Sequence, residues 1–222
     1  MEGVDVLRDR VVRNRVDVER RIGAAGGDVA AVTLVAVTKG FGPEAPQAAR
    51  AAGLVDVGEN YGQELVAKAA EVADVRWHFL GRIQRNKVRH LAALVHLWQS
   101  VDREAVAEEI AKWQAGAAVL VQVNLSGEPA KGGCSWADLD GLVARCRDLG
   151  LDVRGLMGVG PAGPAERARP GFRRLAGARG SLELPHLSIG MSADLEVAVE
   201  EGATMVRIGT ALFGPRPATP DL

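Results

Sequence analysis

The sequence predicts a (β/α)8 TIM barrel preceded by one extra N-terminal helix. β-rich runs alternate with helical patterns along the chain, which favours a parallel sheet. Several of those runs are near-continuous apolar stretches, as strands covered on both faces should be. The runs number eight, each but the last followed by a helix, and eight units favour a closed barrel over an open doubly wound sheet. The open sheet is the alternative, because strand pairing is not visible in a sequence.

The elements follow in order. Residues 4–25 read as a helix, with Val4, Leu7, Val11, Val12, Val18 and Ile22 on one face and Gly26-Gly27 ending it. The first β-rich run is VTLVAVTK (32–39), then a short helical piece at 46–53 with Pro46 suited to a first turn. LVDVGEN (54–60) precedes a helix over 61–73, RWHFLG (76–81) one over 86–94, and HLWQSVD (96–102) one over 103–115. AAVLVQVNL (117–125) leads through a loop to a helix over 135–150, with Ser135 as N-cap and Gly150 as its stop. DVRGLMGVG (152–160) is followed by a helix around 165–178. HLSIGM (186–191) precedes ADLEVAVEEGA (193–203), which reads as a helix opened by Ser192. TMVRIGTALFG (204–214) is the eighth run, and the tail PRPATPDL looks irregular. Without a linker or a low-complexity tract, residues 1–222 are expected to form a single domain, its barrel spanning about 32–214.

Composition narrows the function classes. With a net charge of −1, one tyrosine, four tryptophans and four phenylalanines, neither a polyanionic partner nor a base-stacking surface is expected. Cys134 and Cys146 form no metal spacing or disulfide framework and read as bystanders. The N-terminus is charged throughout, and no run approaches the ~18 apolar residues of a membrane span. A cytoplasmic protein, without nucleic-acid or membrane partners, is the expectation.

In such a barrel the reactive face is the ring of strand C-termini and the loops that follow them. The first run ends in Lys39. A strand-end lysine ordinarily snorkels into solvent, but this strand is central and opens on the barrel mouth. Partial burial there lowers an amine's pKa and makes it a nucleophile for a carbonyl. After runs seven and eight stand SIGMS and RIGT. Barrel phosphate sites are frequently built from these loops. Glycines let backbone N–H groups approach an anion, and Ser192 and Thr210 add hydroxyl donors. A Schiff-base lysine opposite a phosphate cradle suggests a ligand with a carbonyl at one end and a phosphate at the other. A sugar phosphate, cleaved by an aldolase, and pyridoxal 5′-phosphate (PLP) both fit. Arg207, two residues before Gly209 and so on the same side of the strand, is a suitable partner for a pyridine nitrogen, which favours PLP.

These residues sit within LVAVTKG, VGENYGQEL, WHFLGRIQRNKVR, SVDR, VQVNLSGEPAKGG, GLMGVG and LSIGMSADLEVAVEEGATMVRIGTALFG. From about residue 32 to 216 the chain resembles the pyridoxal phosphate homeostasis proteins, the YggS/PROSC family. The resemblance implies that Lys39 forms the internal aldimine with PLP and that Asn60 lies near the cofactor ring. It also implies that Ser192, Gly209 and Thr210 cradle the phosphate and that Arg207 meets the pyridine nitrogen. One departure follows the lysine. Family members often continue Thr-Lys-Pro or Thr-Gln-Pro where this chain has Gly40-Phe41-Gly42-Pro43, so its first loop is expected to differ in shape.

The barrel also resembles the N-terminal domain of bacterial alanine racemase, which shares the strand-one lysine and the Arg-x-Gly pattern. That enzyme has a second, β-rich domain supplying a catalytic tyrosine. Here the chain ends eight residues after Gly214, and its only tyrosine is Tyr61. The expected function is therefore PLP binding as a lysine aldimine in intracellular PLP homeostasis or carriage, by a monomer, without catalytic turnover. PLP-dependent apoenzymes would be the recipients. An active PLP-dependent amino-acid racemase is the alternative. Arg82, Arg85, Lys87 and Arg89 form a local basic cluster that reads as a solvated helix face, the alternative being that part of it faces the mouth. Lys131 is read as a loop lysine, with a secondary aldimine site as the other reading. His78 is expected as a hydrogen-bonded core residue and His186 at the wrong end of its strand for chemistry.

Overall fold

A computed structural model describes residues 3–128 and 132–216; Lys131 lies outside the described residues. Eight parallel strands close on themselves in sequence order. They are β1 (Thr33–Val37), β2 (Asp56–Glu59), β3 (Arg76–Phe79), β4 (Val95–Val101), β5 (Ala118–Val123), β6 (Asp152–Gly158), β7 (His186–Ser188) and β8 (Met205–Ile208). Closure is made by β8 on β1, with Leu34 opposite Val206 and Val35 opposite Arg207. No described helix is long and apolar enough to cross a membrane.

The apolar runs hide a period of two that the closed sheet makes plain. Along β5, Val119, Val121 and Val123 point outward into the large core shared with the helices. Ala118 and Leu120 point inward to a small cluster with Leu97, Met157 and Met205. On β8, Val206 and Ile208 belong to the outer core while Met205 belongs to the inner one. The lumen is not wholly apolar. His78, Gln99, Ser188 and Arg207 are all buried, and as alternate residues of their strands they face inward.

The helices lie outside the barrel. They are α1 (Val4–Ala24), α2 (Glu44–Ala51), α3 (Gly62–Ala69), α4 (Arg85–Leu91), α5 (Glu104–Trp113), α6 (Leu139–Asp148), α7 (Arg169–Ser181), α8 (Leu195–Glu200) and α9 (Thr210–Phe213). The extra helix α1 buries Leu7, Val11, Val18 and Ile22. Val12 departs from that face and is 45% exposed, since it follows Val11 by one position, about 100° around the helix. α1 also grips the far side of the last two loops. Asn14 Nδ2 donates to the Leu212 carbonyl at 2.8 Å, and Arg21 Nη2 to the Ser192 carbonyl at 3.0 Å, while Arg21 forms a two-pronged pair with Glu196.

Three expectations are corrected. β8 is followed by a helix after all, because residues 210–213 coil into the single turn of α9 instead of prolonging the strand. Ser135 does not cap α6: the helix begins at Leu139, and Ser135 closes the preceding turn by accepting from the Asp138 amide. Ser192 does not open α8, which begins at Leu195. Asp194 occupies the cap position, and its carboxylate accepts from the Met191 amide at 2.7 Å.

Candidate functional site

A cavity of about 400 Å³ opens at the C-terminal mouth of the barrel. Its walls include Lys39, Asn60, Ser192, Arg207, Gly209 and Thr210, so the six residues that the sequence assigns to the cofactor meet in one place. Val37, Leu80, Met157, Val159 and Met191 supply apolar wall, and Arg216 closes one side.

Lys39 is half-buried and makes no hydrogen bond or ion pair among the described residues. Burial lowers its pKa below the ordinary lysine value, the cations Arg216 and Arg207 lower it further, and Glu59 acts weakly the other way. The backbone on both sides of it is clamped from outside the barrel. Lys68 on α3 donates to the Thr38 carbonyl at 2.9 Å, and the Gly40 amide donates to Glu64 Oε2 at 2.9 Å. Lys68 Nζ also reaches Glu59 Oε1 at 2.6 Å and Glu64 Oε2 at 2.9 Å. Glu59 is fully buried, and its Oε2 has no hydrogen-bond partner among the described residues. Burial raises its pKa in spite of Lys68 and the Thr38 hydroxyl.

Arg207 is a buried cation held by neutral acceptors. Nη1 donates to the Ser188 carbonyl and to Ser188 Oγ, both at 2.7 Å, and Nη2 to the Gly158 carbonyl at 2.8 Å. Burial lowers its pKa to about 10. A surface salt bridge, the ordinary role of a strand-end arginine, is not what it makes.

The loops after β7 and β8 face each other across the mouth. Gly190 sits at φ +91°, and a Cβ there would lie 2.5 Å from the Ala198 side chain, so only glycine lets the loop turn against α8. Ser192 Oγ accepts from the Ala211 amide at 3.2 Å, tying the two loops together. Among the described residues the backbone amides of Ser192, Ala193, Gly209 and Thr210 have no acceptor. Four amide donors without acceptors, on residues that line one cavity, are what an anion requires.

Arg216, Ser188 and the Lys68–Glu59–Glu64 group escaped sequence reasoning. Arg216 lay in a tail read as irregular. Lys68 had a signal: it follows Glu64 by four positions and Leu65 by three, on the face that α3 buries. Of the basic cluster, Arg82 and Lys87 line an adjoining cavity of about 440 Å³ that shares Asn60 and includes the exposed Tyr61. Arg85 lies 3.6 Å from Glu109, and Arg89 donates to His90. His78 is a hydrogen-bonded core residue, as expected, and His186 begins β7, away from the mouth. Both cysteines are buried, and burial pushes Cys134 up to about 12 and Cys146 up to about 11.

Comparison with known proteins bears on the family and the fold. Residues 14–217 match the family described as alanine racemase, N-terminal domain. A pyridoxal phosphate homeostasis protein of Pseudomonas aeruginosa is 42% identical over 96% of this chain and 97% of its own. The protein of that name from Escherichia coli is 37% identical over 93% of this chain and 97% of its own. PipY of Synechococcus elongatus, solved with PLP bound, superposes with a TM-score of 0.78 at 33% identity, covering 89% of this chain and all (100%) of that one. Alanine racemase of Clostridium difficile shares the fold alone, at 12% identity and a TM-score of 0.74, this chain spanning 58% of it. The chain belongs to the pyridoxal phosphate homeostasis protein family.

Proposed function

We propose that this protein binds pyridoxal 5′-phosphate covalently through Lys39 and serves PLP homeostasis as a carrier without catalytic turnover. The observation that carries the reading is the pairing of a depressed, unpartnered amine with four acceptor-free amides across one cavity. When bound, PLP would supply an aldehyde with which the neutral primary amine of Lys39 could condense with loss of water. The chain's own residues do the rest. Arg207 and Arg216 disfavour the protonated form of Lys39 and so keep the nucleophile available. The amides of Ser192, Ala193, Gly209 and Thr210, with the Thr210 hydroxyl, hold the phosphate. Arg207 presents a donor to the pyridine nitrogen, and Asn60 lines the wall beside the ring.

A guanidinium at that nitrogen keeps it unprotonated and makes the ring a weak electron sink. The only tyrosine, Tyr61, lines the adjoining cavity rather than this one. Both features support carriage over racemisation. Apoenzymes that need PLP are the proposed recipients, a monomer the working form and the cytoplasm the compartment. The test is a titration of the purified protein with PLP, read by visible absorption, beside Lys39→Ala. A yellow band with wild type that is missing in the variant, together with no racemisation of D- or L-alanine, is expected. A colourless wild type sinks the PLP reading, and racemisation at ordinary enzymatic rates sinks the carrier reading.

A further inference from the structure

The contacts of Arg207 do not stop at Ser188. Ser188 Oγ lies 2.6 Å from Gln99 Oε1, Gln99 Nε2 2.7 Å from His78 Nδ1, and His78 Nε2 2.9 Å from Asp56 Oδ1. Arg76 holds Asp56 with two N–H groups, Nε at 2.8 Å. The chain runs from β8 and β7 across the lumen to β4, β3 and β2. Arg207, Ser188, Gln99, His78 and Asp56 are all buried.

The chemistry of each group fixes the direction of every link. Paired with Arg76 and His78, Asp56 is an ionised acceptor, so the proton between it and His78 sits on Nε2. The Gln99 amide nitrogen faces Nδ1, which therefore accepts. The amide oxygen therefore faces Ser188 and takes its hydroxyl proton. That leaves the lone pairs of Ser188 Oγ for Arg207 Nη1. Turning the amide over would set its oxygen against the Nδ1 lone pair and its nitrogen against Ser188, stranding a buried hydroxyl proton. The only carboxylate on this hydrogen-bond path, Asp56, is thus separated from Arg207 by three residues, and buried Asp194 acts on the guanidinium through its charge without a hydrogen bond to it.

We propose that Gln99 is a positioning residue for Arg207, its amide orientation set by the His78–Asp56 pair at the far end of the lumen. The role of the positioned guanidinium toward a pyridine nitrogen rests on the function proposed above; the hydrogen-bond chain itself does not. The test is therefore made on the full-length protein without PLP, by NMR of the Arg207 guanidinium, comparing Gln99→Met with Gln99→Glu. Methionine keeps the length and removes both polar ends. Glutamate keeps an acceptor for Ser188 and sets its second carboxylate oxygen against His78 Nδ1.

Gln99→Met is expected to speed hydrogen exchange at Arg207 Nη1 at least about tenfold, the scale of one lost hydrogen bond to a charged donor. Gln99→Glu is expected to stay within about threefold of wild type, below the effect of losing such a bond. Wild-type exchange in Gln99→Met overturns the proposal. So does equal acceleration in both variants, which would mean general loosening of the core. The imidazole nitrogens of wild-type His78 give a check that needs no variant to fold: the Nε2–H tautomer is expected, and the Nδ1–H tautomer reverses the chain and overturns the proposal. PLP added afterwards separates the two claims. A wild-type protein that forms no imine band defeats the PLP reading while leaving the Arg207 result standing.

Discussion

Replacing Lys68 with methionine probes the clamp beneath Lys39. The substitution removes three hydrogen bonds made by one buried ammonium, to Thr38 O, Glu59 Oε1 and Glu64 Oε2. It leaves Glu59 fully buried with only the Thr38 hydroxyl as partner. Breaking a buried pair from one side ordinarily costs ~3–5 kcal/mol. Glu59 has an escape, which is to take up a proton. From its ordinary pKa of 4.5 that escape costs at most 2.5 pH units' worth at pH 7, or ~3.4 kcal/mol. Burial already raises the Glu59 pKa in the intact protein, so part of that cost is present before the mutation. The expected loss at pH 7 is therefore about 2–3 kcal/mol.

Its pH dependence is diagnostic. A carboxyl whose folded pKa is raised contributes stability that is present below its unfolded value and lost as pH rises through the folded one. Removing Lys68 raises the folded pKa further. The difference between variant and wild type should then shrink toward pH 5, at up to ~1.4 kcal/mol per pH unit. Urea unfolding of both proteins at pH 5, 6, 7 and 8 measures it. A difference that is constant across that range, or under ~0.5 kcal/mol at pH 7, refutes the reasoning.

Three further outcomes are expected. The carboxyl of Asp56 is held down to about 2 against the opposition of burial, by hydrogen bonds from His78 and Arg76 and by the charge of Arg76. Its stabilisation is present above its ordinary 3.8 and lost as pH falls through about 2, so Asp56→Asn should cost ~2 kcal/mol at pH 7 and progressively less in acid, as followed by thermal melts. Gly209→Ala sets a Cβ 3.3 Å from the Val37 carbonyl oxygen, a tight contact that should displace the start of the loop after β8; equilibrium dialysis should show affinity for PLP reduced about tenfold. With pKa values pushed up to about 12 and about 11, native Cys134 and Cys146 should resist iodoacetamide at pH 8, and both should react once the protein is unfolded in urea.

The barrel was legible because parallel strands sheathed by helices must be apolar on both faces, and the alternation of such runs with helical periods survives in the sequence. The cavity was legible for a related reason: strand C-termini share one end, so Lys39, Arg207 and the glycine loops had to come together. What stayed hidden is which alternate residue of a run turns inward. HLWQSVD carries Trp98, Gln99 and Ser100 in succession, and nothing local says that the amide enters the lumen while the indole packs outside against Phe79. Ser192 was misplaced because its segment resembles a helix start, whereas residues 191–194 form a turn, closed by Asp194 accepting from the Met191 amide, before the helix begins. Lys68 was passed over because a lysine in an alanine-rich helix is usually solvated. Only the fold shows Glu59 buried beneath it.

The central claim is that one amine carries the cofactor. Incubating the protein with PLP, reducing with borohydride and locating pyridoxyl lysine by peptide mass spectrometry tests it most directly. The account predicts the modification on Lys39 at one per chain, and its loss in Lys39→Ala. Pyridoxyl found at full stoichiometry on another lysine, with Lys39 unmodified, would contradict it.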